Sequence, residues 1–517
     1  MKKSIYIVLG GLLTLGFVGC EPEFDTPVTD EGFYSSGDAD LSNYVAVGNS
    51  LTAGFADGAL YITGQENSYP NIMAQQFALA GGSETFTQPL MADNLGGLLL
   101  NGTQVGQNRF VLAADPMTGE PLGPVILEGT PTTEVTTSAT GPFNNMGVPG
   151  AKSFHLVAPG YGNPGGILSG AANPFYARFA TSGTSTVLGD AASLSPSFFS
   201  LWIGNNDILS YATAGGAGVD QTGNLDPSTY GFNDITDPNV FAAVYSEQVA
   251  ALNASASGGV LVNIPDVTSI PFFTTVPSQS IPLDAATAAA VNAQFALYNT
   301  QVLPGLVGVG VISAEEAAAR QINFSAGVNF PIMVDDDLTD ISMILQGPPF
   351  NLPASIAGLL GQLRQATNDD LVVLTASSEL GSLADPNDPN SVVGVAVPLG
   401  DEFVLTTVEQ ERVATATAAY NGTIRALAAA NGLGFVDARA ALAQVADGGV
   451  SYDGGLLTSE FVTGGAFSLD GVHPTPRGYA YTANLIIDKI NQTYNATIPN
   501  VNIGNYGTIT LANNVSN

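Results

Sequence analysis

The chain has 517 residues, with 12 Lys or Arg against 45 Asp or Glu and a formal net charge of −33. A field of this sign repels a phosphate backbone and anionic lipid headgroups, which excludes nucleic acid as an expected partner. Cys20 is the only cysteine, so no disulfide can stabilise the fold, and a chain of this length can instead bury a large core.

The first residues have the pattern of an export signal. Lys2 and Lys3 precede an uncharged apolar run at positions 5–18, which is too short to span a bilayer. We therefore predict a signal peptide at 1–19, with an ordinary secretory signal and a chance cysteine after it as the alternative.

The end of this run resembles a bacterial lipobox, in which the cysteine is lipidated and becomes the first mature residue. Cys20 stands at that position, and the next residues are acidic and contain proline. We predict lipidation of Cys20 and a flexible tether at 20–38. The protein would then be held in the bacterial cell envelope by its lipid, on the periplasmic or surface face of the outer membrane.

Four short apolar runs, rich in β-branched or aromatic residues and bounded by turn residues, are predicted to be strands. They are Tyr44–Val47, Phe198–Ile203, Val260–Ile264 and Gly434–Val436. Continuous apolar runs of this kind favour strands buried on both faces of a parallel sheet.

Helical patterns lie between and after these strands. The predicted helices are Ala285–Leu303, Glu409–Asn431 and Gly478–Tyr494. Strands that alternate with helices indicate an α/β fold with helices on both faces of a parallel sheet.

Three stretches fit this alternation poorly: 60–140, 210–245 and 308–405. All are rich in Gly, Pro, Asn, Thr and Asp, and stretches of this length are usually functional or have structure of their own. We interpret them as insertions into one domain at 39–498. The tail at 499–517 has no helical period.

The first predicted strand ends in a Gly-Asn-Ser turn that can present Ser50 as a nucleophile. A serine nucleophile needs a base, and the chain has only two histidines. His473 follows Asp470 by three residues, a spacing that lets the carboxylate reach Nδ1 and leaves Nε2 free to accept a proton. His155 has no acidic neighbour in sequence and is predicted to be a packed or surface residue.

Two further turns can supply donors for an oxyanion. Asn206 lies in a Gly-Asn-Asn-Asp turn at the end of a predicted strand, where α/β sheets bind ligands. Gly150 lacks a Cβ and can bring its backbone N–H close to a bound carbonyl. Taken alone, the Asn206 stretch is equally compatible with ordinary turn chemistry, and the Gly150 stretch is better explained by it.

The four segments together resemble the SGNH, or GDSL-type, hydrolase family, and more narrowly the Bacteroidetes GDSL-type lipoproteins. They match the family's blocks in order, between about residues 41 and 495: Gly48–Leu51 (GNSL), Val148–Ala151 (VPGA), Gly204–Asp207 (GNND) and Asp470–His473 (DGVH).

The resemblance implies a three-layer α/β/α sandwich with a central parallel sheet. It also implies that Ser50 is the nucleophile, His473 the general base and acid, and Asp470 the residue that orients His473. The implied oxyanion donors are the backbone N–H groups of Ser50 and Gly150 and the side-chain amide of Asn206.

The sequence departs from the family at Asn49, where the first block usually has aspartate. Asparagine has a similar size and hydrogen-bonding reach in a tight turn, so we expect activity to survive. Asp207 is implied to be structural. The chain contains no G-x-S-x-G, which argues against the ordinary α/β-hydrolase elbow.

These features predict a lipid-anchored serine esterase or acyl hydrolase that needs no cofactor. Its substrate would be a lipid ester or an acylated glycan. The alternatives are a carbohydrate O-acetylesterase of the same family and a surface lipoprotein that binds without turnover. An all-β adhesin is disfavoured by the helical pattern at 409–431. The sequence does not indicate an oligomeric state.

No metal site is expected. Two histidines and one cysteine leave no plausible zinc site. Val334–Asp340 and Asp385–Asn390 could bind calcium through clustered oxygens, but neither has the spacing of an EF-hand, and we favour solvated loops for both.

Overall fold

The computed structural model describes residues 33–115 and 117–512. The predictions for the signal peptide, for Cys20 and for most of the tether therefore lie outside the described residues. The same is true of the last five residues of the C-terminal tail.

Five strands form one parallel sheet: β1 (Tyr44–Gly48), β2 (Asn145–Gly147), β3 (Phe198–Trp202), β4 (Gly258–Val262) and β5 (Gly434–Val436). Their order across the sheet is β5-β4-β3-β1-β2, and every neighbouring pair is parallel. The predicted α/β fold with a central parallel sheet is thereby confirmed. The strand order reverses at β1, because the chain first adds β2 on one side and then β3 on the other.

Both faces of the sheet are covered. Tyr44 and Phe198 are register partners on β1 and β3, and both contact Phe77 on one face. Since side chains alternate along a strand, Val45 and Phe199 point to the opposite face, and both are fully buried. This two-sided burial explains why the strands have continuous apolar runs.

Seven helices position the site and cover the sheet. They are α1 (Ser50–Ala53), α2 (Tyr69–Leu79), α3 (Asn206–Thr213), α4 (Pro238–Asn253), α5 (Thr407–Asn431), α6 (Ala438–Asp447) and α7 (Pro476–Tyr494). Helix α2 packs against α7, and α4 packs against α5.

The predicted helix at 409–431 is present and begins two residues earlier. Thr406 caps α5, because its side chain accepts from the N–H of Glu409 while the Glu409 carboxylate accepts from the N–H of Thr406. The helix ends at Gly432, which is in the left-handed conformation with φ of 66°.

A second hydrophobic cluster draws its buried residues from 281–395. The sequence placed the start of this insertion at 308 and assigned the preceding helix to the main alternation. In the structure the α-helical part of that segment ends at Leu297 and is followed by a π-helical turn at Tyr298–Val302. Both parts pack in the second cluster. The segment therefore has a core of its own.

The shorter elements belong mostly to the predicted insertions. The helices among them are Ile62–Glu66, Pro174–Ala177, Val187–Ser193, Pro271–Thr274, Ala285–Leu297, Leu303–Gly308, Ala314–Ala319, Ser342–Gln346 and Ala354–Leu360. The strands are Leu98–Leu100, Thr103–Gly106, Phe110–Ala114, Pro121–Ile126, Thr133–Glu134, Ile281–Leu283, Gly327–Asn329, Ile332–Val334, Leu363–Gln365, Leu371–Val372, Val404–Leu405, Val450–Tyr452 and Gly455–Leu457.

The two ends of the described chain lie against the domain. Asp38 donates its N–H to the carbonyl of Tyr494, and Ser35 donates to the hydroxyl of Thr497. The predicted tether therefore joins the folded part a few residues before its expected end at 38. Across residues 33–115 and 117–512, no helix has the length and apolar content needed to cross a membrane.

Candidate active site

Ser50 lies at the carboxyl end of β1, where the strand order reverses. Asn49 caps the short helix α1 by accepting from the N–H of Leu51 at 3.0 Å. Its amide also donates to the Asn205 side-chain oxygen at 3.2 Å, which ties the end of β1 to the turn after β3. Such a switch point is where open α/β sheets leave a crevice for ligands.

The structure brings Ser50, His473 and Asp470 together from opposite ends of the chain. The Ser50 Oγ lies 2.9 Å from His473 Nε2. On the other side of the ring, His473 Nδ1 lies 2.9 Å from Asp470 Oδ2. With the Nδ1 proton held by the carboxylate, Nε2 is free to accept the hydroxyl proton of Ser50.

Asp470 is held as an anion by a ring of donors. Its Oδ1 accepts from the N–H groups of Val472 and His473 at 2.9 and 2.8 Å and from the Ser468 hydroxyl at 3.0 Å. Its Oδ2 also accepts from the N–H of Gly58 at 2.9 Å. Burial acts to raise the pKa of Asp470, but the charge of His473 and these hydrogen bonds outweigh it and lower the pKa to about 2.

A second buried carboxylate, Asp57, supports this loop, and the sequence did not indicate it. Asp57 donates its N–H to the Ser468 hydroxyl at 2.9 Å and accepts from the N–H of Leu469 at 3.1 Å. Tyr61 donates to Asp57 at 2.8 Å, and Arg109 lies 3.8 Å from it. Burial raises the pKa of Asp57 to about 6. Through Arg109, the insertion at 60–140 contributes to the support of the site.

Two of the predicted oxyanion donors, Gly150 and Asn206, lie in the segments that follow β2 and β3, and these segments contact each other. The Asn206 amide nitrogen donates to the carbonyl of Ala151 at 2.9 Å, so it is next to the loop that carries Gly150. Gly150 has a φ of +78°, a conformation that favours glycine. Within the described residues, neither the N–H of Ser50 nor that of Gly150 has a hydrogen-bond acceptor.

Asp207 and His155, the two other residues considered from the sequence, both make structural contacts. Asp207 is fully buried and accepts from the N–H and the hydroxyl of Ser153 at 2.8 and 2.6 Å. His155 accepts from the N–H of Lys152 at 3.0 Å and stacks on Tyr161 at 4.5 Å between ring centroids. Burial and then the charge of Lys152 lower the pKa of His155 to about 3, so its ring stays neutral.

A cavity of about 120 Å³ opens at Ser50 and His473. It lies outside the carboxyl ends of β3, β4 and β5 and is enclosed by α6 and α7. Ligand sites typically combine a few polar groups with an apolar lining, as this cavity does.

The acidic stretches predicted to be solvated loops differ from each other. Asp385–Asn390 is an exposed turn closed by its own hydrogen bonds, such as that from the Asn387 N–H to Asp385. In the other stretch, Asp335 is buried and pairs with Arg364, so that part is not solvated.

No protein-family model matches the chain, and no curated protein matches it. Among solved structures, it is similar to an alpha/beta hydrolase enzyme from the metagenome of Lake Arreo, Spain. The match has 10% sequence identity and a TM-score of 0.30, and it covers 88% of this chain and 96% of that chain.

Proposed function

We propose that this protein is a serine hydrolase that cleaves carboxylic esters through an acyl-enzyme on Ser50. The observation that carries the proposal is the continuous relay from Ser50 through His473 to Asp470, with both hydrogen bonds at 2.9 Å. The relay ends in a carboxylate held ionised and opens on a cavity. A nucleophile, a base and an orienting acid in this order are the groups that acyl transfer requires.

In the first step, the Ser50 oxygen attacks the carbonyl carbon while its proton passes to His473 Nε2. The imidazolium that forms is stabilised by the ionised Asp470 at Nδ1. The tetrahedral intermediate then expels the alcohol, which takes the proton from Nε2, and the acyl group stays on Ser50.

In the second step, a water molecule attacks the acyl carbon while its proton passes to His473. The ester bond to Ser50 breaks, the proton on Nε2 returns to the serine oxygen, and the carboxylic acid leaves. Both steps use the same base, and no cofactor or metal takes part in the proposed chemistry.

The negative oxygen of each tetrahedral intermediate would be held by Ser50, Gly150 and Asn206. The backbone N–H groups of Ser50 and Gly150 are without acceptors in the described part of the chain, and the Asn206 amide keeps one hydrogen beyond its bond to Ala151. Donors already in place for a developing charge supply a large part of the rate enhancement in acyl transfer.

The order of the four sequence blocks supports assignment to the SGNH family, and we include that assignment in the proposal. We also propose lipidation at Cys20 and attachment to the outer membrane, supported by the sequence of the first 20 residues alone. Palmitate labelling in cells, with Cys20→Ala as the comparison, tests the anchor separately from the chemistry.

The function is tested by measuring hydrolysis of p-nitrophenyl butyrate by the wild type, Ser50→Ala and Ser377→Ala. Ser377 is an exposed serine far in sequence from the site and serves as the matched control. We expect Ser50→Ala to lose at least about 10⁴-fold in kcat, with an unchanged melting temperature, and Ser377→Ala to keep full activity.

Three outcomes would redirect the proposal. Full activity in Ser50→Ala would refute Ser50 as the nucleophile. No activity of the wild type on any ester would favour the binding lipoprotein. A preference for acetylated glycans over p-nitrophenyl esters would identify the carbohydrate O-acetylesterase alternative.

A further inference from the structure

The cavity at Ser50 has polar lining residues beside the serine and a mostly apolar lining elsewhere. Asn49, Asn205, Asn206 and His473 line it beside Ser50. Most of the other lining residues are apolar, and Thr482 and the hydroxyl of Tyr481 are the main exceptions. Among the residues that the structure describes, no Asp, Glu, Lys or Arg lines the cavity.

The apolar part of the cavity extends away from the catalytic residues along α7. Gly478 and Ile486 both line it, and the eight residue steps from one to the other correspond to about 12 Å of helix. Val262 and Val436, at the ends of β4 and β5, form the facing wall, and Ala441 of α6 closes the side. The cavity is therefore long as well as apolar.

We infer, on the basis of the proposed function, that this cavity binds the acyl chain of the ester and that the preferred substrates carry medium or long chains. The ester carbonyl lies at Ser50 and the chain extends along α7. An acetyl group would leave the apolar length unfilled, and the hydroxyls of a sugar would find few partners there. Each buried methylene is worth up to about fourfold in kcat/KM.

The first test compares p-nitrophenyl acetate, butyrate, octanoate and dodecanoate on the wild-type protein. We expect kcat/KM to rise by at least about tenfold from acetate to octanoate, since several methylenes enter the apolar part. Equal values across the series, or the highest value for acetate, would overturn the inference.

The second test fills the cavity from α6. Ala441→Phe places a ring among the lining residues, and Ala443→Phe makes the same change on the exposed side of the same helix. We expect Ala441→Phe to lower the octanoate-to-acetate ratio of kcat/KM at least about tenfold and Ala443→Phe to leave it unchanged. Should Ala441→Phe fail to fold, Val445→Phe on the same wall replaces it. An unchanged ratio in the folded variant contradicts the inference.

A binding measurement separates this inference from the proposed function. Titration of Ser50→Ala with dodecanoate reports the cavity without turnover, and we expect one site that Ala441→Phe weakens. If the wild type hydrolyses no ester but dodecanoate binds, the proposed function fails and the acyl-binding cavity stands. If esters are hydrolysed without chain preference and dodecanoate does not bind, the acyl-binding inference fails alone.

A different place in the molecule carries a second, independent inference. The side chains of Asp336, Asp401 and Glu409 come from three segments, and their oxygens lie within 4.8 Å of one another. Glu409 is in the first turn of α5, while the two aspartates belong to the chain before it. The group therefore lies where that chain meets the main domain.

Glu409 is the unusual member of this group. Its side chain is fully buried, and its Oε2 accepts from the N–H of Thr406 at 2.6 Å. Its Oε1 has no hydrogen-bond partner in the described structure. A Cβ on Gly216 would lie 2.0 Å from that oxygen, so any other residue at position 216 would clash with the Glu409 carboxylate. A buried carboxylate oxygen without a partner is costly unless something neutralises it.

The nearby guanidinium does not neutralise the group. Arg412 donates to Asp337 and to the hydroxyl of Tyr211 at 3.0 Å, and it makes no ion pair with the three carboxylates. Burial, and then the charges of neighbouring carboxylates, raise the pKa of Asp401 to about 7 and that of Glu409 to about 8. Within the described part of the chain, none of the three carboxylates forms an ion pair.

We propose that Asp336, Asp401 and Glu409 bind a hard divalent cation, such as Ca²⁺ or Mg²⁺, that fastens the preceding chain to α5. Carboxylate oxygens are the ligands that such ions prefer, and the Glu409 carboxylate in this group is buried and has one oxygen without a hydrogen-bond partner in the described structure.

Calorimetric titration of chelator-treated protein with CaCl₂ and with MgCl₂ tests the site. We expect one binding event for at least one ion and a higher melting temperature in its presence. Glu409→Gln is expected to abolish both effects, and Asp385→Asn, in an exposed acidic turn, is expected to keep them. Asp401→Asn replaces Glu409→Gln if the latter does not fold. Absence of binding and of a thermal shift at millimolar ion concentrations would overturn the proposal.

Discussion

Asp470 is largely buried and Glu409 fully buried, yet their surroundings give the two carboxylates opposite charge states. Asp470 accepts hydrogen bonds from three backbone N–H groups and one hydroxyl and contacts His473. Glu409 accepts from one backbone N–H, and its second oxygen has no partner within the described chain. The pKa is lowered to about 2 in the first and raised to about 8 in the second.

The difference shows that donors, rather than depth, decide whether a buried carboxylate is ionised. An ionised Asp470 can stabilise an imidazolium at His473, which is the role that the proposed mechanism assigns to it. Glu409 instead keeps a proton or attracts a cation, which is the basis of the proposed ion site.

Removing the charge of Asp470 is the strongest test of the contrast between these two carboxylates. Asp470→Asn keeps the size of the side chain but no longer holds the Nδ1 proton of His473, so the wrong tautomer forms. We expect kcat for p-nitrophenyl octanoate to fall by about 10⁴-fold with little change in KM. Asp385→Asn is the matched control, and a loss below tenfold in Asp470→Asn would contradict the assigned role.

A smaller effect is expected from the oxyanion side of the site. Asn206→Ala removes one donor and leaves the relay from Ser50 to Asp470 in place. We expect kcat to fall about 10²–10³-fold while KM stays within a few-fold. The melting temperature, measured in parallel, shows whether loss of the bond to Ala151 has disturbed the fold; a normal kcat would remove Asn206 from the oxyanion hole.

The ionisation of Glu409 is tested by the pH dependence of stability. The folded-state pKa is raised to about 8 from an ordinary value of 4.5, so the folded state holds a proton that the unfolded state releases between these values. Stability in the presence of a chelator should therefore fall as pH rises from about 5 to 8. Glu409→Gln should flatten this slope and raise the melting temperature at pH 8 by roughly 2–4 °C.

Asp470 affects the pH dependence of stability in the opposite direction, because its pKa is lowered to about 2. Its contribution to stability is present above pH 4 and is lost only as the pH falls toward 2. A slope between pH 5 and 8 that is undiminished in both Glu409→Gln and Asp401→Asn would refute the assignment of these groups.

The smallest effect is expected at Asn49, the departure from the family pattern. Its side chain caps α1 and donates to Asn205, and aspartate can keep the cap while the Asn205 amide turns to donate in its place. We expect Asn49→Asp to change kcat/KM by less than tenfold. A larger loss would mean that asparagine is required in the support of Ser50.

Much of the fold could be predicted because the strands are buried on both faces and read as apolar runs. The edge strand β2 was missed, since Asn145–Gly147 has no such run. Strand β4 begins two residues before its predicted start, at Gly258 and Gly259. A Cβ on these residues would lie 2.8 and 2.7 Å from Tyr494 and Phe199, contacts that a local pattern does not contain.

The relay itself could be predicted, because few histidines are present and the four blocks keep their order. The support of Asp470 could not be predicted. Gly58 and Asp57 reach the loop across 412 and 411 positions, and nothing in either segment marks the partner. The unpartnered oxygen of Glu409 is likewise a product of packing, which explains why no metal site was expected.

The central claim is that His473 activates Ser50, and covalent labelling tests it most directly. The wild-type protein would be treated with a fluorophosphonate and the adduct mapped by peptide mass spectrometry, with His473→Ala and Ser377→Ala beside it. We predict a single adduct on Ser50, retained in Ser377→Ala and strongly reduced in His473→Ala. An unlabelled Ser50 in folded wild-type protein, or equal labelling in His473→Ala, would contradict the account.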